Sequence, residues 1–375
     1  VDARVDHFRP GSAARLVVKI GSSLLVDGDG GVRRAWLETV LDDLAERRAT
    51  GQGIAIVSSG AIALGAKRLR LAKGGRASLE DAQAAAATGQ IALSRVYDEL
   101  LAARGLTAAQ MLVTLDDLED RRRFLNASAT LDRLLSLGVV PILNENDSVA
   151  TAEIRFGDND RLAARVAQAA GASAVVLLSD VDGLYTANPT TDPAAELIPT
   201  VEALDARIEA MADARSGSGL GSGGMVAKLQ AAKIANAAGA HLAIVSGKVD
   251  HPLRRFAETG RGTVFVAQGS APARKAWLAG RLTAKGRLRV DAGAADALRA
   301  GKSLLAAGVT GVEGRFERGD VVEVIDNAGP IARGLSSYDA ADAARIAGAR
   351  NDAQAAILGY APRSAMIHRD HLVML

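Results

Sequence analysis

Short apolar runs recur through the first two-thirds of the chain, separated by longer segments whose apolar positions return every three or four residues. The runs are RLVVKI at 15–20, GIAIVSS at 53–59, VVPIL at 139–143, AVVLLS at 174–179 and AHLAIVS at 240–246. None alternates apolar with polar, so each predicts a strand buried on both faces, as in a parallel sheet. The segments 33–49, 80–103, 116–136 and 159–170 are alanine-rich and long enough for crossover helices. Together they predict an α/β fold with a doubly wound, mainly parallel sheet sandwiched by helices.

After about residue 270 the pattern changes to short strands separated by glycine turns, as in KGRLRVDAG and GRFERGDVVEVIDNAGPIARGLSSY. Asn327, Gly329 and Pro330 supply turn residues there. This predicts a small β-rich pseudo-barrel. We therefore expect a tail over 1–14, a first domain over 15–268, a linker over 269–276 and a second domain over 277–375. A chain of 375 residues accommodates both.

Composition narrows the chemistry. Aromatic residues make up only 3% of the chain, which favours tightly packed helix-on-sheet layers over an aromatic-rich sandwich. The net charge of +2 is too small for a global nucleic-acid footprint. Cysteine is absent, which excludes disulfides, thiolate metal sites and cysteine nucleophiles. The five histidines show no metal-ligand spacing, so no protein-held metal site is read from the sequence. No apolar run reaches the roughly 18 residues that span a bilayer. The opening VDARVDHFRPGSAA lacks the apolar stretch of a signal peptide, so no membrane partner and a cytoplasmic location are expected.

The polar residues gather where the apolar runs end. Lys19 stands near the C-terminal end of the first strand, with Gly21, Ser22 and Ser23 in the following turn. Ligands of open α/β sheets bind at that edge. A lysine in an apolar strand either snorkels out at the strand end or meets an anion such as phosphate. Ser58, Ser59, Gly60 and Ala61 repeat the arrangement after the second strand, ahead of another helix whose N-terminus favours anions. Taken singly, either is also a tight strand-to-helix turn.

Residues 144–164, NENDSVATAEIRFGDNDRLAA, are the densest polar stretch to follow an apolar strand. Asp158 or Asn159 is a natural cap for the next helix, but capping does not account for Asn144, Glu145, Asn146, Asp147, Glu153 and Asp160 as well. Such a loop suits a substrate ammonium, Mg²⁺ or both. In LLSDVDGLYTANP, Ser179 and Asp180 end a strand, and Asp182 and Gly183 read as a hairpin tip. In SGSGLGSGGMVAKLQAAKIA a Gly/Ser loop leads into a helix bearing Lys228, more like a phosphate cover than a linker.

In this order, VVKIGSS, SSGAIALG, QMLVTLDDLEDRRRFLNA, the stretch NENDSVATAEIRFGDND and GLGSGGMVAKLQAA resemble the amino-acid kinase family, from about Leu16 to about Arg369. The resemblance implies transfer of phosphate from ATP, with Mg²⁺, to a carboxylate. It makes Lys19, Lys228 and Asp160 catalytic, the lysines contacting phosphates and the aspartate organising them. It assigns Ser59, Asp147 and Asn159 to the substrate. To the nucleotide it assigns Lys19, Ser179, Asp180, Ser222, Gly223, Gly224, Met225, Val226, Ala227 and Lys228. Gly21, Ser22 and Gly60 fall where backbone contacts to phosphate are expected. Arg155 stands where relatives commonly carry lysine, keeping the charge with another geometry.

The chemistry fits. A side-chain carboxylate, with an ordinary pKa of about 4.3, is already an anionic nucleophile at neutral pH and needs no general base. Asp147 offers a carboxylate to an α-ammonium, which favours free L-glutamate over its N-acetylated form. The product is then an acyl phosphate, γ-glutamyl phosphate, the first step towards proline in this family. Proline as feedback inhibitor and a homo-oligomer, dimer or tetramer, are implied by the resemblance. Residues 308–338 resemble a PUA domain, a module known from RNA-modifying enzymes. Its basic residues Arg274, Lys275, Arg281, Lys285, Arg287 and Arg289 are either a solvated face or contacts to RNA phosphates.

Overall fold

The computed structural model describes residues 4–149, 158–213, 224–267 and 284–375. The chain divides into two compact units, Val1–Glu119 with Ala127–Gln268, and Asp120–Asn126 with Gly269–Leu375.

The first unit is built on an eight-stranded sheet. Its strands are β1 (Arg15–Ile20), β2 (Gly53–Ser58), β3 (Ala108–Val113), β4 (Val140–Glu145), β5 (Ala174–Ser179), β8 (Thr200–Val201), β9 (His241–Ser246) and β10 (Thr263–Phe265), in the order β3-β4-β2-β1-β5-β9-β10-β8. A separate antiparallel pair joins β6 (Leu184–Tyr185) to β7 (Leu197–Ile198). All neighbours in the large sheet run parallel except β9 and β10. Among the described residues its helices are α1 (Ser22–Leu25), α2 (Arg34–Ala49), α3 (Ala61–Leu69), α4 (Leu79–Ala102), α5 (Leu115–Glu119), α6 (Arg121–Ser136, of which residues up to Asn126 fall in the second unit), α7 (Asp158–Ala170), α8 (Ala206–Asp213), α9 (Met225–Ala237) and α10 (Pro252–Thr259).

The two-residue period of β1 sorts its side chains between the two layers. Leu16, Val18 and Ile20 join a core with Leu37, Val40, Leu41 and Leu44 of α2 and Leu93, Tyr97 and Leu101 of α4. Lys19 therefore falls on the opposite face, which α7 covers. Helices α3 and α4 meet backbone to backbone. A Cβ added at Gly65 would lie 1.8 Å from the Ala85 oxygen, and one at Gly89 would lie 1.8 Å from the Ala61 oxygen. Only glycine fits at those two positions.

Three local readings of the sequence change. The single helix expected over 116–136 is two. Thr114 and Asp117 exchange side chain-to-backbone hydrogen bonds of 2.8 and 3.1 Å around the start of α5. The Asp120 carboxylate then accepts from Arg123 N at 3.0 Å and starts α6. Asp182 and Gly183 are not a hairpin tip but the link from β5 to β6. Gly183 has φ +156° and lies so close to Thr263 that a Cβ would stand 2.5 Å from its hydroxyl oxygen. Asn159 does not cap α7, because it lies inside the first turn with its side chain engaged elsewhere.

The second unit holds a five-stranded sheet, β12-β11-β13-β14-β15, formed by β11 (Gly286–Val290), β12 (Val309–Gly314), β13 (Val321–Asp326), β14 (Gly329–Leu335) and β15 (Leu372–Met374). Only β11 and β13 pair in parallel. The β13–β14 turn is held by Asp326, whose carboxylate accepts from Ala328 N at 2.8 Å and Gly329 N at 3.2 Å. Among its described residues lie the short helices α11 (Ala292–Arg299), α12 (Ala340–Ile346) and α13 (Asn351–Leu358). Leu288, Val322, Val324, Tyr338, Ile346 and Met366 lie in its core. Among the described residues no helix is long and apolar enough to cross a membrane.

Candidate active site

Strand order reverses at β1, which has β2 on one side and β5 on the other. This is the switch point of an open α/β sheet, where a crevice opens beyond the C-terminal strand ends. Helix α3 follows β2 there, and its first residues are preceded by Gly60 at φ +107°, a left-handed conformation that glycine adopts without strain. Helices α7 and α9 also start at this edge, since Asp160 and Lys228 in their first turns both reach Lys19 or its partner. The N-termini of α3, α7 and α9 thus add partial positive charge to one region.

Asp160 is the hub of that region. It is wholly buried, and its two carboxylate oxygens take one lysine each, Lys19 Nζ at 2.7 Å and Lys228 Nζ at 2.9 Å. Burial alone would raise the Asp160 pKa. The two ammonium groups and their hydrogen bonds outweigh it, so the carboxyl is held below the usual aspartate value. Both lysines are themselves buried. The three groups carry a net charge of about +1 in a place with little water, a local field suited to phosphate.

A second cluster lies alongside it. The Asn159 amide donates to Ser59 Oγ at 2.7 Å, to Asn144 Oδ1 at 3.1 Å and, more weakly, to the Ser58 carbonyl at 3.4 Å. Those bonds fix which way the amide faces, since its NH₂ meets three acceptors. Its Oδ1 is buried and, among the described residues, has no donor. Asn144 in turn accepts from Glu145 N at 2.9 Å and donates to Gln90 Oε1 at 2.9 Å. Behind Ser59, the Ser58 hydroxyl bonds the fully buried Tyr97 hydroxyl at 2.9 Å. Burial pushes that phenol well above its usual range.

The remaining predicted positions divide. Ser179, buried at the end of β5, donates to Asp180 Oδ1 at 3.1 Å and accepts from Val181 N at 3.4 Å. Gly224 precedes α9, and Met225, Val226, Ala227 and Lys228 form its first turn. Asp147 lies in the turn after β4 and acts electrostatically on Arg76, whose pKa is lowered by burial and partly restored by that carboxylate. Arg76, in the loop before α4, had no motif to mark it. Ser222, Gly223, Glu153 and Arg155 lie outside the described residues, as do Arg274, Lys275 and Arg281 of the second unit. Lys285, Arg287 and Arg289 are each ion-paired, with Asp320, Glu323 and Glu313 respectively.

A sheet whose switch point gathers two lysines on one carboxylate, beside a cluster of amide and hydroxyl side chains, describes a kinase for small anionic acceptors. The amino acid kinase family matches residues 14–246 and the PUA domain matches residues 286–358, and the chain belongs to the amino acid kinase family, with a C-terminal PUA domain. Within it the similarity is specific. A glutamate 5-kinase of Sphingopyxis alaskensis is 68% identical over 98% of this chain and 99% of that protein. One of Zymomonas mobilis is 62% identical over 98% of this chain and 93% of that protein. Among solved structures, a UMP kinase from Ureaplasma parvum superposes with a TM-score of 0.47 at 16% identity, over 67% of this chain and 98% of that one. The chain is an enzyme of the glutamate 5-kinase group.

Proposed function

We propose that this chain transfers the γ-phosphoryl group of ATP to the side-chain carboxylate of free L-glutamate, giving L-glutamyl 5-phosphate, the first step of proline biosynthesis. The observation that carries the reading is Asp160 held between Lys19 and Lys228. A carboxylate oxygen attacks the γ-phosphorus, the bond to the bridging oxygen breaks, and ADP leaves. No proton moves in the attack, so no general base is required. What the protein must do is hold two mutually repelling anions in line and neutralise charge on the phosphoryl oxygens. Lys19 and Lys228 supply that charge from opposite sides of Asp160, which keeps both aimed in the absence of substrate.

On this reading Ser59 and Asn159 bind glutamate, and the orphaned Asn159 Oδ1 is a ready acceptor for its α-ammonium. Asp147 adds long-range attraction for the same group, tempered by Arg76. Ser179, Asp180 and residues 222–228 hold the nucleotide. Mg²⁺ enters on the ATP phosphates. Among the described residues no three acidic or histidine side chains cluster to hold a metal.

On the same reading residues 15–268 are the kinase domain and 277–375 the PUA domain, while the expected linker, 269–276, lies outside the described residues. Proline as end-product inhibitor, a homo-oligomer and a cytoplasmic location belong to the same reading. RNA is a weaker partner, because the described basic residues of β11 and its approach are already neutralised by acids. An acyl phosphate is trapped by hydroxylamine as a hydroxamate. ATP- and glutamate-dependent hydroxamate formation is the expected result. ATP consumption without hydroxamate would overturn the reading.

A further inference from the structure

Helix α4 turns an apolar face to the core, with Ala82, Ala86, Leu93, Leu100 and Leu101 buried. Two polar residues interrupt it, Gln90 and Tyr97, seven positions apart and so on one side of the helix. A buried glutamine amide is costly unless each of its groups finds a partner. Both interruptions spend their polar atoms on strand ends of the candidate site. Tyr97 meets Ser58 of β2, and Gln90 Oε1 accepts from Asn144 of β4.

From Gln90 the bonds run onward in one direction. Gln90 Nε2 donates to Ser94 Oγ at 3.3 Å, and its Oε1 faces the Asn144 NH₂, which fixes the orientation of the glutamine amide. Gln90 Oε1, together with Glu145 N on Asn144 Oδ1, holds the Asn144 amide in one orientation, and Asn144 Oδ1 also receives the Asn159 NH₂. Asn159 is thereby presented with its NH₂ against Ser59 and its Oδ1 open and buried. Rotating Asn144 or Asn159 would set oxygen against oxygen, and rotating Gln90 would set its NH₂ against that of Asn144. The turn of α4 that carries Gln90 is also pinned, because Gly89 abuts the Ala61 carbonyl at the start of α3, immediately after Ser59 and Gly60.

We infer that Gln90 is a positioning residue for the acceptor substrate, setting through Asn144 the direction in which Asn159 faces the bound amino acid. The inference rests on the proposed reading of Asn159 as a glutamate-binding residue. It assigns Gln90 to the amino-acid subsite alone, since the chain of bonds ends at Asn159 and Ser59 and does not include Lys19, Lys228 or Ser179.

Three variants test it, with kcat and the KM for glutamate and for ATP measured separately. Gln90→Met keeps the volume and removes the acceptor, and is expected to raise the KM for glutamate on the order of tenfold, with the KM for ATP within about twofold. Gln90→Glu keeps an acceptor for the Asn144 amide and is expected to recover most of the loss. Gln90→Ala leaves room for a water to take the acceptor's place and is expected to lie between the other two, which keeps the test usable if the methionine variant does not fold. Equal changes in both KM values, or no recovery in Gln90→Glu, would overturn the inference. So would unchanged kinetics in Gln90→Met beside an active wild type. Absence of glutamate-dependent turnover in the wild-type chain would instead overturn the functional reading on which the inference stands.

Discussion

Replacing Asp160 by asparagine removes one charge without removing its volume, and its consequences are opposite for stability and for nucleotide binding. In the wild-type chain the carboxylate is wholly buried and takes a lysine on each oxygen at 2.7 and 2.9 Å. An asparagine oxygen can accept from one ammonium, but its NH₂ then faces the other. Two buried ammonium groups lose their counter-charge. Breaking a buried ion pair by removing one partner costs about 3–5 kcal/mol. In a domain of this size that lowers the melting temperature by roughly 6–20 °C. ATP restores negative charge to the same place, so the variant should gain more from saturating ATP than the wild type does, against a reference gain of about 2.7 kcal/mol at a hundredfold excess over Kd. Thermal melts of both proteins with and without ATP measure this, and turnover should fall because the lysines are no longer aimed. An unchanged melting temperature without nucleotide, or an equal gain from ATP, would refute the idea that Asp160 is the counter-charge that ATP phosphates complement. The acid limb gives a further check. Because the folded pKa of Asp160 is depressed, its contribution is present above the unfolded value of about 3.9 and is lost as pH falls through the lower folded value. The gap between wild type and variant should therefore be flat above about pH 5 and close below it.

Other consequences follow from single residues. Lys19→Ala and Lys228→Ala should each lower kcat by a factor on the order of 10² to 10³ with circular dichroism unchanged, and near-normal turnover in both would remove them from the chemistry. Gly89→Ala should destabilise the first unit by about 3 kcal/mol or more, since its Cβ would meet the Ala61 oxygen at 1.8 Å. Gly293→Ala in α11, where the Cβ meets nothing nearer than 3.5 Å, should be neutral or stabilising in denaturant titrations. His241 is pushed down to about 4, first by burial and then by the stacked His7 ring at 3.8 Å. Its depressed folded pKa means stability that is complete above about pH 6.5 and is lost towards pH 4. His241→Gln should flatten that part of the pH–stability curve, and an unchanged slope would count against it.

The strands legible in the sequence were those buried on both faces. Runs such as RLVVKI and AVVLLS have no other economical place, and they became β1 and β5 beside the switch point. Strand β3, AAQMLV, was missed because it is the edge strand, with Gln110 exposed, and its mixed pattern matches neither a buried strand nor a helix. The division between α5 and α6 was hidden because capping by Asp120 competes with a helical periodicity that runs straight through it. Gly65 and Gly89 look like ordinary weak points in alanine-rich helices until the two helices cross. At the site, Lys19, Asp160 and Lys228 were marked by their positions at strand and helix ends. Their meeting was not readable from spacing, since 141 and 68 residues separate Asp160 from the two lysines. Gln90 carried one signal, a lone amide in an apolar helical stripe, which becomes informative only once Asn144 is seen opposite it. Arg76 carried none.

On the proposed function the acceptor is the side-chain carboxylate of free glutamate. The most direct measurement is ATP-dependent ADP release, by a coupled assay, with L-glutamate, N-acetyl-L-glutamate and L-aspartate compared at equal concentrations. The buried Asn159 oxygen favours a free ammonium, so kcat/KM for glutamate should exceed that for the acetylated form by at least about a hundredfold. Turnover only with N-acetylglutamate or only with aspartate would contradict free glutamate as the acceptor.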